Sequence, residues 1–271
     1  MLNKAITSLL ASAVMLALAF APAKADSGED SVQKIQSAGV LKVGMADSGV
    51  MQSKDPASGQ WRGFNVDMAN KVAKVLGVKL EIVDASWSTL IPGLQAGQFD
   101  IAFVDMFPTA ARAATVNFTD PYATHGWQII VAKDSKYQKA SDLDDPSVTV
   151  AALTGSIEEA IRPELFPKAQ TKQLVTENLS SMVQEVLAGR VQATMLEPYN
   201  IKSMEKRNPG MSAKLRFLND EEHLMRPTGI AYAVRPGDDH LLRFLNTFIA
   251  EEKTTGESQR LYDQWLSQMT Q

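Results

Sequence analysis

A regular alternation of two hydrophobic periods limits what this chain can fold into. Residues 41–45 and 79–84 alternate apolar and polar side chains, as strands do, and residues 100–104 form a short apolar run typical of a buried strand. Between these segments, apolar residues at 64–76 and 90–94 repeat at helical spacing, and a glycine ends each helix. The order strand, helix, strand, helix, strand favours a parallel sheet with helices on its faces.

The alternation begins again in the second half of the chain. Strands are predicted at residues 127–132, 148–152, 193–196 and 229–234, and helices from Ile157, around residues 182–187 and after the last strand. No linker rich in proline, glycine or serine separates the two halves, so composition alone would allow a single domain. The fold class predicted from this pattern is α/β.

The N-terminus has the pattern of an export signal. Lys4 precedes an apolar run over residues 5–20, and the small-x-small sequence Ala23-Lys24-Ala25 follows it. This apolar run is shorter than the roughly 20 residues that span a bilayer core. We therefore predict that residues 1–25 are a cleaved signal peptide and that the mature protein is periplasmic.

Composition excludes several classes of function. Removal of residues 1–25 leaves 246 of 271 residues and moves the net charge from −4 to −6, because two lysines and no acid are lost. Mild acidity argues against nucleic acid or an anionic membrane as a partner. The chain has no cysteine, and His125, His223 and His240 lie far apart in no metal-ligand spacing. We expect no disulfide, no metal and no cofactor.

Four motifs follow one another in the first half of the chain. They are Gly63-Phe64-Asn65-Val66-Asp67-Met68, Gly97-Gln98-Phe99-Asp100-Ile101, Thr109-Ala110-Ala111-Arg112 and Asn117-Phe118-Thr119-Asp120-Pro121-Tyr122. This ordered set resembles the extracellular solute-binding proteins of ABC importers, in the family that captures polar amino acids. The resemblance covers nearly the whole mature chain and is most specific between residues 63 and 122.

The resemblance implies a two-lobed periplasmic-binding-protein fold of type II. Such proteins have two Rossmann-like α/β lobes with parallel-rich sheets, joined by two hinge crossings. Carried over to this sequence, the first lobe covers residues 32–124 plus 229–271, and the second covers residues 126–226. The hinges are then expected near residues 122–126 and 225–229, where Gly126 and Gly229 suit a rotation.

Arg112 is the strongest candidate for ligand binding. Taken alone, an arginine between two alanines is most often a solvated side chain, but in the family the arginine of Thr-x-x-Arg holds the ligand carboxylate. A guanidinium fork suits that chemistry, because it forms paired, charge-assisted hydrogen bonds. The resemblance also places Thr154, Gly155 and Ser156 in a loop that grips the same carboxylate through backbone N–H groups. Otherwise Ser156 is an ordinary helix cap.

Two further residues occupy positions that line the cleft in the family. Trp87 takes the place of an aromatic wall, which suits an apolar or cationic part of a ligand. Glu197 stands at a strand end where the family usually has an aspartate that meets the ligand's ammonium group. A lone tryptophan is otherwise usually a core residue, and an acid at a helix N-terminus is favourable by itself.

The sequence departs from the family next to the Thr-x-x-Arg motif. Many relatives have small residues there, whereas this chain has Asp105, Met106 and Phe107, which add bulk and a carboxylate. The first loop, at residues 46–51, lacks the usual Pro-Phe aromatic of the family and carries Asp47. If Asp47, Asp105 and Glu197 all face the cleft with Arg112, a cationic amino acid or another amine-bearing carboxylate is favoured. If Asp105 points away, a neutral zwitterion fits equally well.

The leading hypothesis is a non-enzymatic, monomeric binding protein that delivers an amino-acid-like solute to the permease of an ABC importer, with no nucleic-acid partner. A second hypothesis is a dehydratase acting on cyclic carboxylates, because some relatives of the family have that activity. Glu197 would then be a general acid with a raised pKa. A ligand-sensing module of a receptor is the third.

Overall fold

The computed structural model describes residues 30–176 and 178–270, and the predicted signal peptide lies outside them. Twelve strands are formed within this part of the chain. They are β1 Val40–Met45, β2 Ser53–Lys54, β3 Trp61–Arg62, β4 Lys79–Asp84, β5 Ile101–Met106, β6 Asn117–Phe118, β7 Ala123–Ala132, β8 Thr149–Leu153, β9 Gln170–Leu174, β10 Ala193–Leu196, β11 Leu215–Phe217 and β12 Met225–Val234.

Helices connect most of these strands and cover both faces of the main sheet. The α-helices are α1 Ser31–Ala38, α2 Phe64–Leu76, α3 Leu90–Gln95, α4 Ala110–Ala113, α5 Ile157–Leu165, α6 Ser180–Leu187, α7 Pro198–Arg207, α8 Asp239–Thr254 and α9 Glu257–Thr270. Short 3₁₀ helices cover Ala140–Leu143 and Ser212–Lys214. No described helix is long and apolar enough to cross a membrane.

The main sheet has a parallel group of strands at each end. Its order is β4-β1-β5-β12-β7-β10-β8-β9, with β6 paired to β12 and β11 paired to β7. β1 is parallel to β4 and β5, and β8 is parallel to β9 and β10. We refer to the part built on β1, β4 and β5 as the first lobe, and to the part built on β7 to β11 as the second lobe. The predicted α/β class and two-lobed architecture are confirmed.

β7 and β12 run between the two lobes as an antiparallel pair. Gly229 pairs with Thr124 and Thr228 with His125, and the register shifts between Thr228 and Met225. Both strands begin earlier than predicted, because they continue through the region where the chain passes between lobes. Arg226 lies in this irregular stretch with φ +47°, the only described non-glycine residue with a positive φ. The exact lobe boundaries stay a prediction.

Aromatic packing holds β12 against the first lobe. Tyr232 is fully buried, and its ring stacks on Phe103 with centroids 3.9 Å apart and on Tyr122 at 4.5 Å. The second lobe has its own cluster, in which Met182, Val183 and other apolar residues of α6 pack on β7 and β8. The inner parallel strands β5 and β10 are fully buried, as parallel sheets require, whereas the outer strands β4 and β9 are partly exposed.

Candidate functional site

A small cavity lies where the carboxyl ends of the parallel strands of both lobes meet. The first lobe contributes Ser48, Trp87, Asp105 and Phe107, and the second contributes Ser156, Ile157, Glu158, Leu179 and Glu197. Ligands in open α/β sheets bind at such strand ends. The cavity measures about 20 Å³, which is room for roughly one water molecule. An amino acid therefore enters only if the lobes move apart.

Arg112 joins the two sides of this cleft. Thr109 caps α4, and its hydroxyl accepts the backbone N–H of Arg112 at 3.2 Å. The guanidinium donates from Nη1 to the carbonyl of Phe107 at 3.0 Å and from Nη2 to the carbonyl of Gly155 at 2.9 Å. Burial lowers the pKa of Arg112, and the nearby Glu158 carboxyl opposes this shift. Arginine remains charged, so a cation is held between the lobes.

The loop at residues 154–156 opens α5 on the opposite side. Gly155 has φ +80°, and its N–H donates to Glu159 Oε2 at 2.6 Å. Ser156 caps the helix by accepting the N–H of Glu159 at 3.4 Å, and the buried Thr154 hydroxyl has no partner among the described residues. The Glu159 carboxylate thus already accepts the N–H of Gly155, one of the backbone groups that were expected to bind the ligand carboxylate.

Three buried carboxyl groups line the same cavity. Asp105, Glu158 and Glu197 are 2%, 3% and 5% exposed. Trp127 Nε1 donates to Glu158 Oε1 at 2.9 Å, and burial raises the pKa of Glu158. Burial, followed by repulsion from Glu158 and Asp105, raises the pKa of Glu197 well above its usual range. The cavity therefore favours positive charge.

Comparison with known proteins decides the family. Residues 41–268 match the model of the bacterial extracellular solute-binding proteins, family 3. The chain belongs to this family. The resemblance predicted from the sequence is confirmed, and the molecule is a solute-binding protein.

Three proteins that are similar to this solute-binding protein show which functions occur among its relatives. It is 30% identical to the arginine-binding extracellular protein ArtP of Bacillus subtilis, over 76% of this chain and 78% of that protein. It is 24% identical to the cyclohexadienyl dehydratase of Pseudomonas aeruginosa, over 97% and 96% of the two chains. An ancestral amino acid-binding protein, described as a precursor of cyclohexadienyl dehydratase, superposes with a TM-score of 0.76 and 33% identity, covering 88% of this chain and 99% of its own.

The other predicted site residues of this solute-binding protein are divided between the cavity and its surroundings. Trp87 and Phe107 line the cavity, and Phe107 packs on Trp127 with ring centroids 4.4 Å apart. Met106 points into the first-lobe core and is 2% exposed. The Asp47 carboxylate accepts the N–H groups of Gly49 and Lys54 at 3.1 and 3.2 Å, so it orders its own loop and does not line the cavity.

Sequence reasoning missed Glu158 and the lining residues Ser48, Ile157 and Leu179. Glu158 lies in the first turn of α5, where an acid is favourable for the helix dipole whether or not a ligand is near. The available signal was its position two residues after Ser156, in a helix expected to begin at the cleft.

Closure brings Gly155 against the backbone of the first lobe. A Cβ at this position would lie 2.7 Å from Ser88 Cα. Gly155→Ala should therefore weaken ligand binding on the order of tenfold, because the closed form must accommodate this overlap. Calorimetry with the amino-acid ligand measures the loss. Gly210→Ala is the matched control, since Gly210 has φ +85° but no atom within 4 Å of a Cβ. Equal losses in both variants would show that backbone strain alone is responsible.

Proposed function

We propose that this protein captures a cationic amino acid by closing its two lobes around it. The observation that carries the proposal is the placement of Asp105, Glu158 and Glu197 around one cavity beside the guanidinium of Arg112. A cationic amino acid has one carboxylate and two positive groups, and this arrangement of one cation and three acids complements that pattern. Arginine and lysine are the natural candidates.

Each group has a proposed role in this complex. Arg112 exchanges its carbonyl partners for the ligand carboxylate, and the loop at residues 154–156 approaches the same carboxylate from the second lobe. Glu197 and Glu158 neutralise the positive groups. The aromatic faces of Trp87 and Phe107 form the walls along the ligand, where a cation is also attracted to a π face.

The surrounding assembly follows from the family. We propose delivery of the ligand to the permease of an ABC importer from the periplasm, by a monomer without a nucleic-acid partner. The similarity to an arginine-binding extracellular protein supports both the ligand class and the compartment. The lobe boundaries proposed are residues 32–124 plus 229–271 and residues 126–226, because β7 and β12 pair where the crossings are expected.

Titration calorimetry with a matched pair of ligands tests the proposal. L-arginine and L-citrulline have nearly the same shape, but citrulline carries a neutral urea in place of the guanidinium. A charged hydrogen bond contributes about 1.5–3 kcal/mol, so L-arginine should bind roughly ten- to a hundredfold more tightly. Equal affinities, or tighter binding of citrulline, would remove the electrostatic basis of the proposal.

A dehydratase is the second candidate, and Glu197 is the observation that favours it. A buried carboxyl whose pKa is raised well above its usual range can hold a proton and act as a general acid. The similarity to a cyclohexadienyl dehydratase over nearly the whole chain adds support. Incubation with a cyclohexadienyl carboxylate distinguishes the two functions. We expect the compound to be recovered unchanged, whereas turnover that Glu197→Gln abolishes would establish the enzyme.

A further inference from the structure

Among the described residues, three donate hydrogen bonds to the Asp105 carboxylate, and only one of these three belongs to the other lobe. Ser48 Oγ donates to Oδ2 at 2.7 Å and Gln52 Nε2 donates to Oδ1 at 2.8 Å, both from the first lobe. Tyr199 Oη, on α7 of the second lobe, donates to Oδ2 at 2.8 Å. Separation of the lobes would break the Tyr199 hydrogen bond and leave the other two in place.

The Tyr199 hydroxyl continues this network to the hinge. Its proton is directed to Asp105, so its oxygen accepts from Nδ1–H of His125, 3.2 Å away. Nε2 of the neutral imidazole then accepts from Tyr262 Oη of α9, also at 3.2 Å. Burial lowers the pKa of His125 to about 4, so the ring is neutral at physiological pH. His125 itself lies on β7, opposite Thr228 of β12.

The network is shielded from solvent and contacts the ligand cavity only through Asp105. Asp105 is 2% exposed, and Tyr199 and His125 are each 5% exposed. Tyr199 and His125 do not line the 20 Å³ cavity, but a different one of about 240 Å³ on the hinge side. A buried hydrogen bond to a carboxylate is strong, and an unpaired buried partner is costly.

We propose that Asp105, Tyr199 and His125 form a closure latch, a network that stabilises the closed arrangement of the lobes independently of the ligand. Tyr199 is the positioning residue of this latch, and Asp105 is its anchor. The proposal rests on the proposed capture by lobe closure. It gives Asp105 a role in closure in addition to its place in the lining of the ligand cavity.

The chain allows a direct measurement of closure. It contains no cysteine, so Val75→Cys on α2 and Val175→Cys after β9 provide one label site in each lobe. These side chains are 64% and 91% exposed, so labelling should not disturb the core. Single-molecule fluorescence transfer between the two labels then reports the open and closed populations, first without ligand and then across a titration with L-arginine.

Two substitutions that each remove one hydroxyl form the matched comparison. Tyr199→Phe removes the hydrogen bond between lobes. Tyr232→Phe removes a buried hydroxyl at the other end of the same network, because Tyr232 donates to Asn65 Oδ1 at 3.0 Å and Asn65 donates to Gln52 at 2.7 Å, all within the first lobe. Circular dichroism and thermal melting show whether both variants fold.

We expect Tyr199→Phe to shift the ligand-free ratio of closed to open protein at least about tenfold toward open, and Tyr232→Phe to leave it unchanged. In an Asp105→Asn background, Tyr199→Phe should have a much smaller effect, since the two substitutions remove the same interaction. The ¹⁵N resonances of His125 should also move in Tyr199→Phe, because Nδ1–H loses its acceptor.

Several outcomes would overturn the latch. These are an unchanged ratio in Tyr199→Phe, an equal shift in Tyr232→Phe, additive effects with Asp105→Asn, or a ligand-free wild type with no closed population. Failure of the proposed function gives a different result. If L-arginine does not close the wild type while the ligand-free comparison behaves as expected, the proposed ligand is wrong and the latch stands.

Discussion

Replacing Arg112 with alanine should lower the affinity for L-arginine at least about a hundredfold while the fold remains intact. The guanidinium is positioned to make two charge-assisted hydrogen bonds to a carboxylate, each contributing roughly 1.5–3 kcal/mol. Calorimetry gives the affinity, and circular dichroism reports the fold.

Two further variants separate charge and geometry in this result. Arg112→Lys keeps the charge but not the planar fork, so it should recover little of the loss. Arg190→Ala is the matched control, because Arg190 is exposed and paired with Glu185 at 2.7 Å on the second lobe. Near-wild-type affinity in Arg112→Ala would show that the role carried over from the family motif is wrong.

Replacing Glu197 with glutamine should have two opposite effects. Glutamine keeps the size and an acceptor for Asn200 Nδ2, which lies 2.9 Å from Glu197 Oε2, but it cannot take on the negative charge that Glu197 acquires when a bound cation displaces its proton. Loss of one partner of a buried charge pair typically costs 2–5 kcal/mol, so affinity for L-arginine should fall on the order of thirtyfold or more. Stability at alkaline pH should rise.

The stability effect follows from the raised pKa of Glu197. The folded protein holds this proton at pH values where the unfolded chain, with its usual pKa of 4.5, has lost it. The resulting stabilisation is complete below about pH 4.5 and is lost as the pH rises through the folded-state pKa. The melting temperature of Glu197→Gln relative to wild type should therefore increase between pH 4 and pH 8. A constant difference would show that Glu197 is ionised in the folded protein.

Much of the fold could be predicted because regular elements leave a period in the sequence. β4 covers residues 79–84 and α2 covers residues 64–76, as the alternating and helical patterns indicated. β7 and β12 each extend beyond the prediction because they change partners between lobes. Such strands are defined by long-range pairing, which leaves no local period to detect.

Trp87, Asp105, Phe107 and Glu197 were expected near the cleft from the family resemblance and line the cavity, and their roles in ligand binding stay a prediction. Arg112 was predicted as a site residue from the family's Thr-x-x-Arg motif, and the structure adds that Thr109 of this motif caps α4. Glu158 and the hydrogen bond between Tyr199 and Asp105 depend on how α5 and α7 dock across the cleft, and no local pattern encodes that docking. Asp47 was also a candidate for the cleft, but its carboxylate accepts hydrogen bonds from N–H groups of its own loop.

Native mass spectrometry of protein purified from the periplasm without refolding tests the central claim most directly. The account predicts that the protein carries a single small molecule with the mass of a basic amino acid, which is lost when Arg112 is replaced by alanine and is recovered chemically unchanged. A carried molecule without a basic nitrogen, or one that the protein converts to a product during incubation, would contradict the capture of a cationic amino acid by closure.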